Sequence, residues 1–257
     1  MTPATVLDRF RLTGRVALVT GASRGIGEAI AVALADAGAS VVVTSRKKDA
    51  IEATAQKIRE RGGKAHAVVA HAGVDADNER VVAEAVSVYG GLDVVVANAA
   101  TNPVFGPATD ADGAVFDKVM NVNVKGPFLL ARAAHPHLAR GGHGSLVFIS
   151  SIGVLSPEPL LGLYSVSKAA LISLGKVLAR EWGPDVRSNV ICPGIVKTEF
   201  AEALWSNDEI VKQSIAPQPI PRVAEPEEIA GLALFIASDA SSYCTGGVYV
   251  ADGGHLL

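Results

Sequence analysis

Tyr164 and Lys168 stand four residues apart in Tyr164-Ser165-Val166-Ser167-Lys168. On an α-helix that spacing puts both side chains on one face, within reach of each other. A free phenol, with a pKa of about 10, is a poor acid–base catalyst near neutrality. An ammonium beside it favours the phenolate and lowers that value. Ser151 offers a second hydroxyl, at the end of the apolar run Ser145-Leu146-Val147-Phe148-Ile149-Ser150. A strand end and the helix after it can bring both hydroxyls to one crevice at the carboxyl edge of a sheet. A bare Tyr/Lys pair describes many helix surfaces, and a lone serine is usually a turn or cap residue. What precedes these three residues gives them weight.

Arg15-Val16-Ala17-Leu18-Val19-Thr20 is a short apolar, β-branched run, as expected of a buried parallel strand. It leads into Gly21-Ala22-Ser23-Arg24-Gly25-Ile26-Gly27, which opens a helix running through Leu34. The glycines permit a tight turn and close approach of a pyrophosphate. The helix N-terminus offers free N–H groups and the positive end of its dipole. The spacing is G-x3-G-x-G rather than the general G-x-G-x-x-G, so its placement between strand and helix carries the reading.

The elements that must hold these groups alternate along the chain. Strand patterns fall near 15–20, 40–44, 65–70, 92–97, 144–150, 187–192 and 247–251. Helical patterns fall near 25–37, 48–61, 76–89, 112–140, 162–182 and 226–237. Such alternation predicts a seven-stranded parallel sheet with helices on both faces, an α/β Rossmann fold in one domain over residues 1–257. Glycine pairs at 62–63, 90–91 and 141–142 fall at helix-to-strand turns, where a C-cap glycine belongs. Asp49 is read as a helix N-cap. Only 194–224 departs from the alternation, with prolines at 217, 219 and 221, and it is read as a substrate lid.

Composition excludes several classes. Apolar residues make up 49% of the 257 and the mean hydropathy is +0.32, as parallel strands buried on both faces require. A net charge of −3 gives nucleic-acid binding no electrostatic support. Two cysteines, Cys192 and Cys244, make no disulfide framework, and Cys192 reads as a small core residue. His135 and His137 do not share a helix face, and no cluster has zinc spacing, so no metal is expected. No segment has the length and apolarity of a membrane span, and the first fourteen residues lack a signal-peptide core. The default expectation is a cytoplasmic protein.

At this point the chain resembles the short-chain dehydrogenase/reductase family over almost its whole length. The resemblance rests on the loop Thr20 to Gly27, Asn98-Ala99-Ala100, Asn123-Val124-Lys125-Gly126, Ser151, Tyr164/Lys168, Pro193-Gly194 with Thr198, and Asp252-Gly253-Gly254. Ala100 stands where the family usually has glycine. His71-Ala72 ends the third strand where many members place an aspartate against adenine. The resemblance implies a catalytic set of Asn123, Ser151, Tyr164 and Lys168, with Asn123 positioning a water that returns a proton through Lys168. It implies a cofactor site formed by Gly21, Ser23, Arg24, Gly25, Ile26, Gly27, Ser45, Arg46, His71, Asn98, Ala99, Tyr164, Lys168, Pro193, Gly194, Ile195 and Thr198. It also implies a homotetramer built through the long helices and the C-terminal strand.

Charge selects the cofactor. An acid after the second strand would bind a ribose 2′-OH and repel a 2′-phosphate. This chain has Ser45-Arg46-Lys47 there, and a guanidinium matches phosphate geometry. In the family such residues imply NADP(H) rather than NAD(H). Asn102-Pro103-Val104-Phe105, Leu155 to Leu161, Phe200, Leu204 and Trp205 would form mainly apolar walls. They point to a small-molecule substrate, a hydrophobic ketone or aldehyde reduced to an alcohol. The resemblance is nearest to NADPH-dependent dicarbonyl and retinal reductases. A 3-oxoacyl-thioester reductase, a sugar or alcohol dehydrogenase, and a non-catalytic NADP-sensing protein are the alternatives.

Overall fold

The computed structural model describes residues 5–157, 161–206, 212, 215–216 and 218–257. Seven strands form one sheet: β1 (Val16–Thr20), β2 (Ser40–Ser45), β3 (Lys64–Val69), β4 (Val94–Ala97), β5 (Gly144–Ile149), β6 (Val186–Pro193) and β7 (Val248–Ala251). All neighbours pair in parallel, in the order β3-β2-β1-β4-β5-β6-β7. The period of two along each strand supplies both faces. Ala17, Val19, Val41 and Val43 pack on one side against α1 (Gly25–Asp36), α2 (Lys48–Glu60) and the late helix at Pro226–Ala237. Leu18, Val42, Val95 and Phe148 pack on the other, against α3 (Asp75–Tyr89) and the long helices near 126–182. The strands thus fall where the apolar runs place them, and the Rossmann architecture is the one expected.

Two local readings change. The continuous helix expected over 112–140 is interrupted. Asp112 caps α4 (Gly113–Met120), its Oδ1 accepting the Val115 N–H at 2.8 Å. A π-turn follows at Asn121–Lys125, where the Gly126 N–H reaches back to the Asn121 carbonyl, and α5 (Gly126–Leu138) continues from it. A π-turn inserts one extra residue into the helical ladder. Here it turns Asn123 fully inward. Asp49 is not a cap: α2 starts at Lys48 with Lys47 in the cap position. Asp49 sits inside the first turn, where its charge opposes the helix dipole favourably.

α5 and α6 (Gly162–Trp182) pack on the same face of the sheet as α3. Beyond β6 the excursion at 194–224 starts and ends at one place. Val196 bridges Ala224, the Lys197 N–H donates to Ala224 O at 2.9 Å, and the Ala224 N–H donates to Ile195 O at 3.0 Å. Its described part holds a 3-10 turn at Glu199–Ala201 and the short α7 (Glu202–Trp205); the helix α8 (Pro226–Ala237) follows. Pro219 and Pro221 are described; Pro217 lies outside the described residues. Among the described residues no helix is long and apolar enough to cross a membrane.

Gly126 is where α5 presses on the loop carrying His71: a Cβ there would stand 2.1 Å from the Ala72 carbonyl oxygen. Backbone cannot yield as a flexible side chain does, so Gly126→Ala is expected to cost about 2 kcal/mol and lower the Tm by about 5 °C. Gly113→Ala, with open space at its Cβ, should leave the Tm unchanged or slightly raised. Thermal unfolding of the two variants checks this; equal Tm values would remove the contact argument.

Candidate active site

The strand order reverses between β1 and β4. At such a switch point the loops leaving the two strands diverge and leave a crevice at the carboxyl edge. A cleft of about 880 Å³ lies there.

Its first end is built from bare backbone. Gly21 and Gly25 adopt φ of +64° and +58°. A Cβ on Gly25 would stand 2.9 Å from Thr198 Cγ2, and one on Gly27 would stand 2.4 Å from Gly21 O. Asn98 clamps this loop: its Nδ2 donates to Thr20 O at 3.0 Å and to Gly21 O at 3.1 Å. The N–H groups of Asn98 and Ala99 both donate to Thr20 Oγ1, at 3.1 and 3.2 Å. Ser23, Arg24 and Ile26 line the cleft beside it. A cradle that any side chain would fill, at the N-terminus of a 12-residue helix, fits a dinucleotide pyrophosphate.

Beyond β2 the cleft is lined by Thr44, Ser45, Arg46 and Lys47. The buried Thr44 hydroxyl has no hydrogen-bond partner. Arg46 and Lys47 are exposed, and among the described residues neither meets an acidic group. This donor set fits a 2′-phosphate. Arg24, which also lines the cleft, pairs with Glu199 across it. His71 also lines the cleft. Its backbone N–H donates to Asp77 Oδ2 at 2.8 Å, and its Nδ1 accepts the Gly73 N–H at 2.9 Å, which leaves Nε2 to carry the ring proton.

The other end gathers Ser151, Tyr164 and Lys168 with Pro193, Gly194, Ile195 and Thr198. Ser151 follows β5, accepts the Gly153 N–H at 3.2 Å and lies beside the Tyr164 phenol, whose value it lowers. Lys168 is buried, its Nζ donating to Ile149 O at 2.7 Å and lying 5.6 Å from the Tyr164 ring centre. Burial dominates both values. It pushes the Tyr164 phenol far above its usual range, opposed only by Ser151. It brings the Lys168 ammonium down to about 8. Desolvation therefore outweighs the pull of the ammonium on the phenol that the sequence suggests. Burial also pushes the neighbouring Cys192 thiol up; with no exposed surface, it is a core side chain.

Asn123 stands behind the cleft wall, with no exposed surface. Its Oδ1 accepts the Thr101 N–H at 2.8 Å, and its Nδ2 donates to Thr101 O at 2.9 Å and to Ser167 Oγ at 3.0 Å. Ser167 Oγ in turn donates to Tyr164 O at 2.7 Å. The amide is spent on tying the loop after β4 to the π-turn and to α6. Thr101 and Ser167 carry no sequence signal of their own, because what recruits them is the π-turn.

The walls are apolar, with differences in detail. Asn102, Phe105, Ser156, Leu161, Phe200 and Leu204 line the cleft; Pro103, Val104 and Leu155 do not. Residues 158–160 lie outside the described residues. The Phe200 ring stands 5.7 Å from the Tyr164 ring. Trp205, expected as a wall, turns away: its Nε1 donates to Thr198 O at 2.7 Å, bracing the turn that carries Phe200. His135, the other candidate ligand type, stacks on Trp182 at 4.3 Å.

Lys168 also sets a pH dependence. Its folded value of about 8 lies below the 10.5 of an unperturbed lysine. Between those values the unfolded chain binds more protons, so this contribution to stability rises with pH and is least favourable below pH 8. The penalty is on the order of 3 kcal/mol, of which the lost Ile149 hydrogen bond would take back about 1 kcal/mol. Lys168→Met is therefore expected to raise the Tm of the protein alone at pH 7, with the gain shrinking towards pH 10. A variant less stable than wild type at pH 7 would contradict the assignment.

Residues 21–255 match the family model described as Enoyl-(Acyl carrier protein) reductase. The chain is 42% identical to Dehydrogenase/reductase SDR family member 4 of Sus scrofa, covering 99% of this chain and 91% of that one. It is 38% identical to Short-chain dehydrogenase/reductase SDRA of Arabidopsis thaliana, covering 95% of each. The gluconate 5-dehydrogenase of Burkholderia cenocepacia, solved with NADP and tartrate, superposes with a TM-score of 0.93 at 31% identity, covering 98% of this chain and 99% of that one. Likeness of this extent, in sequence and in fold together, makes the chain a member of the short-chain dehydrogenase/reductase family of oxidoreductases.

Proposed function

We propose that the protein is an NADP(H)-dependent reductase of apolar ketones and aldehydes. The observation that carries this reading is the floor of the cleft. A buried phenol stands beside Ser151, which lowers its value, with Lys168 Nζ 5.6 Å from its ring centre; mainly apolar side chains wall the cleft, and its far end carries Arg46 and Lys47, which among the described residues meet no acidic group. A nicotinamide held beside Tyr164 by Pro193, Gly194, Ile195 and Thr198 would supply hydride to the carbonyl carbon. The chain's own groups handle the oxygen. Ser151 Oγ and the Tyr164 hydroxyl would donate to it as negative charge develops. Burial keeps the phenol protonated, as a general acid must be before it gives up its proton. Lys168, at about 8, can lose and regain a proton near neutrality and so restore Tyr164. Asn123, its amide fully engaged, positions Tyr164 through Ser167 rather than touching substrate.

Cofactor contacts follow the same geometry. The Gly21–Gly27 loop and the α1 N-terminus hold the pyrophosphate, and Asn98 and Ala99 support that loop. Ser45 and Arg46 take the 2′-phosphate, and His71 offers its Nε2–H to the adenine side. Pro193, Gly194, Ile195 and Thr198 flank the nicotinamide, while 194–224 acts as the substrate lid. NADP in the related gluconate 5-dehydrogenase structure supports this choice. The second reading is a 3-oxoacyl-thioester reductase, favoured by the acyl-carrier description of the matching family model. Assembly belongs to the same proposal. Phe128 on α5 and Val166 and Val177 on α6 are exposed, an apolar face of the kind a homotetramer built through these helices would cover.

Tyr164→Phe keeps the ring and removes the transferable proton. Turnover should fall roughly 100-fold or more, with NADPH affinity little changed; near-normal turnover across a ketone and aldehyde panel would remove the acid assignment. Arg46→Asp should erase or reverse a wild-type preference for NADPH over NADH of at least about tenfold, or ~1.4 kcal/mol. Fluorescence titration of both cofactors reads it, and equal wild-type affinities would sink the 2′-phosphate site.

A further inference from the structure

One polar side chain reaches the cleft from an element that neither the glycine loop nor the Ser/Tyr/Lys set uses. His255 lies in the turn after β7 and lines the cleft, half-buried. The sheet places it at the reacting end. β7 pairs with β6 through Pro193 and Ala251, and the Gly194 N–H donates to Ala251 O at 2.9 Å. Gly194 is packed so closely that a Cβ on it would stand 2.8 Å from Asp252 Cα. β6 in turn neighbours β5, whose end leads to Ser151. Arg46 lies on the opposite side, beyond β1 and β2.

The turn is built to hold this ring still. Asp252 accepts the Gly254 and Leu256 N–H groups at 2.8 and 3.0 Å. The Ile220 N–H donates to Gly253 O at 3.0 Å, tying the turn to the excursion at 194–224. Gln218 Nε2 lies 3.2 Å from His255 Nδ1. An amide nitrogen only donates, so Nδ1 is the acceptor and the ring proton sits on Nε2. The ring therefore carries its N–H donor on Nε2 and lines the same cleft as the apolar side chains Phe200, Leu204 and Leu161.

Resting on the reductase reading above, we infer that His255 is a substrate-specificity residue. Its Nε2–H would donate to a second oxygen acceptor carried by the substrate away from the reacting carbonyl. Substrates with such an oxygen, keto esters for example, would bind better than plain ketones of equal length, since a polar group in an apolar wall discriminates by the partner it finds or lacks.

The experiment compares ethyl 3-oxobutanoate with 2-heptanone, two ketones of matched chain length, using the intact protein with NADPH. His255→Leu is expected to raise KM for the ester about tenfold, one hydrogen bond's worth, with kcat and the KM for 2-heptanone within about twofold. His255→Gln, which keeps an N–H donor, should recover most of the loss. Equal losses on both ketones would make His255 a structural brace and overturn the inference, as would no loss on either. Calorimetric binding of ethyl 3-hydroxybutanoate and 2-heptanol to the NADP complex gives a readout that does not depend on ketone reduction. If wild type reduces neither ketone, the reductase reading fails; the inference then stands if His255→Leu weakens the hydroxy ester alone. It falls if the ester gains nothing over 2-heptanol on wild type.

Discussion

A buried ammonium organises this molecule. Lys168 has almost no exposed surface and satisfies its charge on a carbonyl, Ile149 O at 2.7 Å, rather than on a carboxylate. A cation in that position is costly unless its surroundings are polar and fixed. The chain fixes them from three sides. β5 supplies the carbonyl, Ser150 Oγ donates to the Lys168 carbonyl at 2.9 Å, and α6 holds Tyr164 one turn away on the same face. The cost appears as a lysine at about 8 beside a phenol pushed upward. In the proposed reaction these shifts suit an acid that stays protonated and a base able to exchange protons near neutrality, at a cost in stability.

The rest of the architecture serves to bring four strand ends and one bare loop to that point. The order reversal between β1 and β4 opens the crevice. Asn98 crosses it, stitching the end of β4 to Thr20 and Gly21, and it does so because Gly27 has no side chain in its path. On the other side Asn123 performs the matching task, joining the loop after β4 to α6 through Thr101 and Ser167. Two asparagine amides thus brace the two sides of the crevice, Asn98 through two backbone carbonyls and Asn123 through Thr101 and the Ser167 hydroxyl.

The sequence revealed what repeats with a period and little of what depends on a single insertion. Strands of consecutive β-branched residues and the Gly21–Gly27 turn carry strong local signals, so the parallel sheet and the glycine turn were legible, whereas the strand order and its reversal between β1 and β4 came from the structure. Tyr164, Lys168 and Ser151 were legible because their spacing matches elements whose geometry is regular. The π-turn at Asn121–Lys125 was not, since its residues have ordinary helical character and its cause is tertiary: Asn123 has to turn inward. Trp205 was misread for a related reason. Its indole finds an acceptor at Thr198 O, a partner that hydropathy does not register. His255 stayed hidden because only the pairing of β7 with β6 brings it to the cleft.

The two arginines near the cofactor cradle show how the same residue type divides its work. Arg24 and Glu199 meet across the cleft while remaining 55% and 66% exposed. An exposed pair of this kind contributes about 0–1 kcal/mol and weakens as salt screens it. It cannot by itself hold the roof in place. Packing does that: Thr198 against the bare Gly25, and the bridge between Val196 and Ala224 that pins both ends of the excursion. Arg24 therefore adds little to a turn that packing already holds, and in this arrangement its charge faces Glu199. Arg46 keeps its charge uncommitted at the end of β2, beside the unpartnered Thr44 hydroxyl. Of the two, only the second stands without an acidic partner among the described residues, so in the proposed function any discrimination for a phosphorylated cofactor is assigned to the strand end and not to the glycine loop.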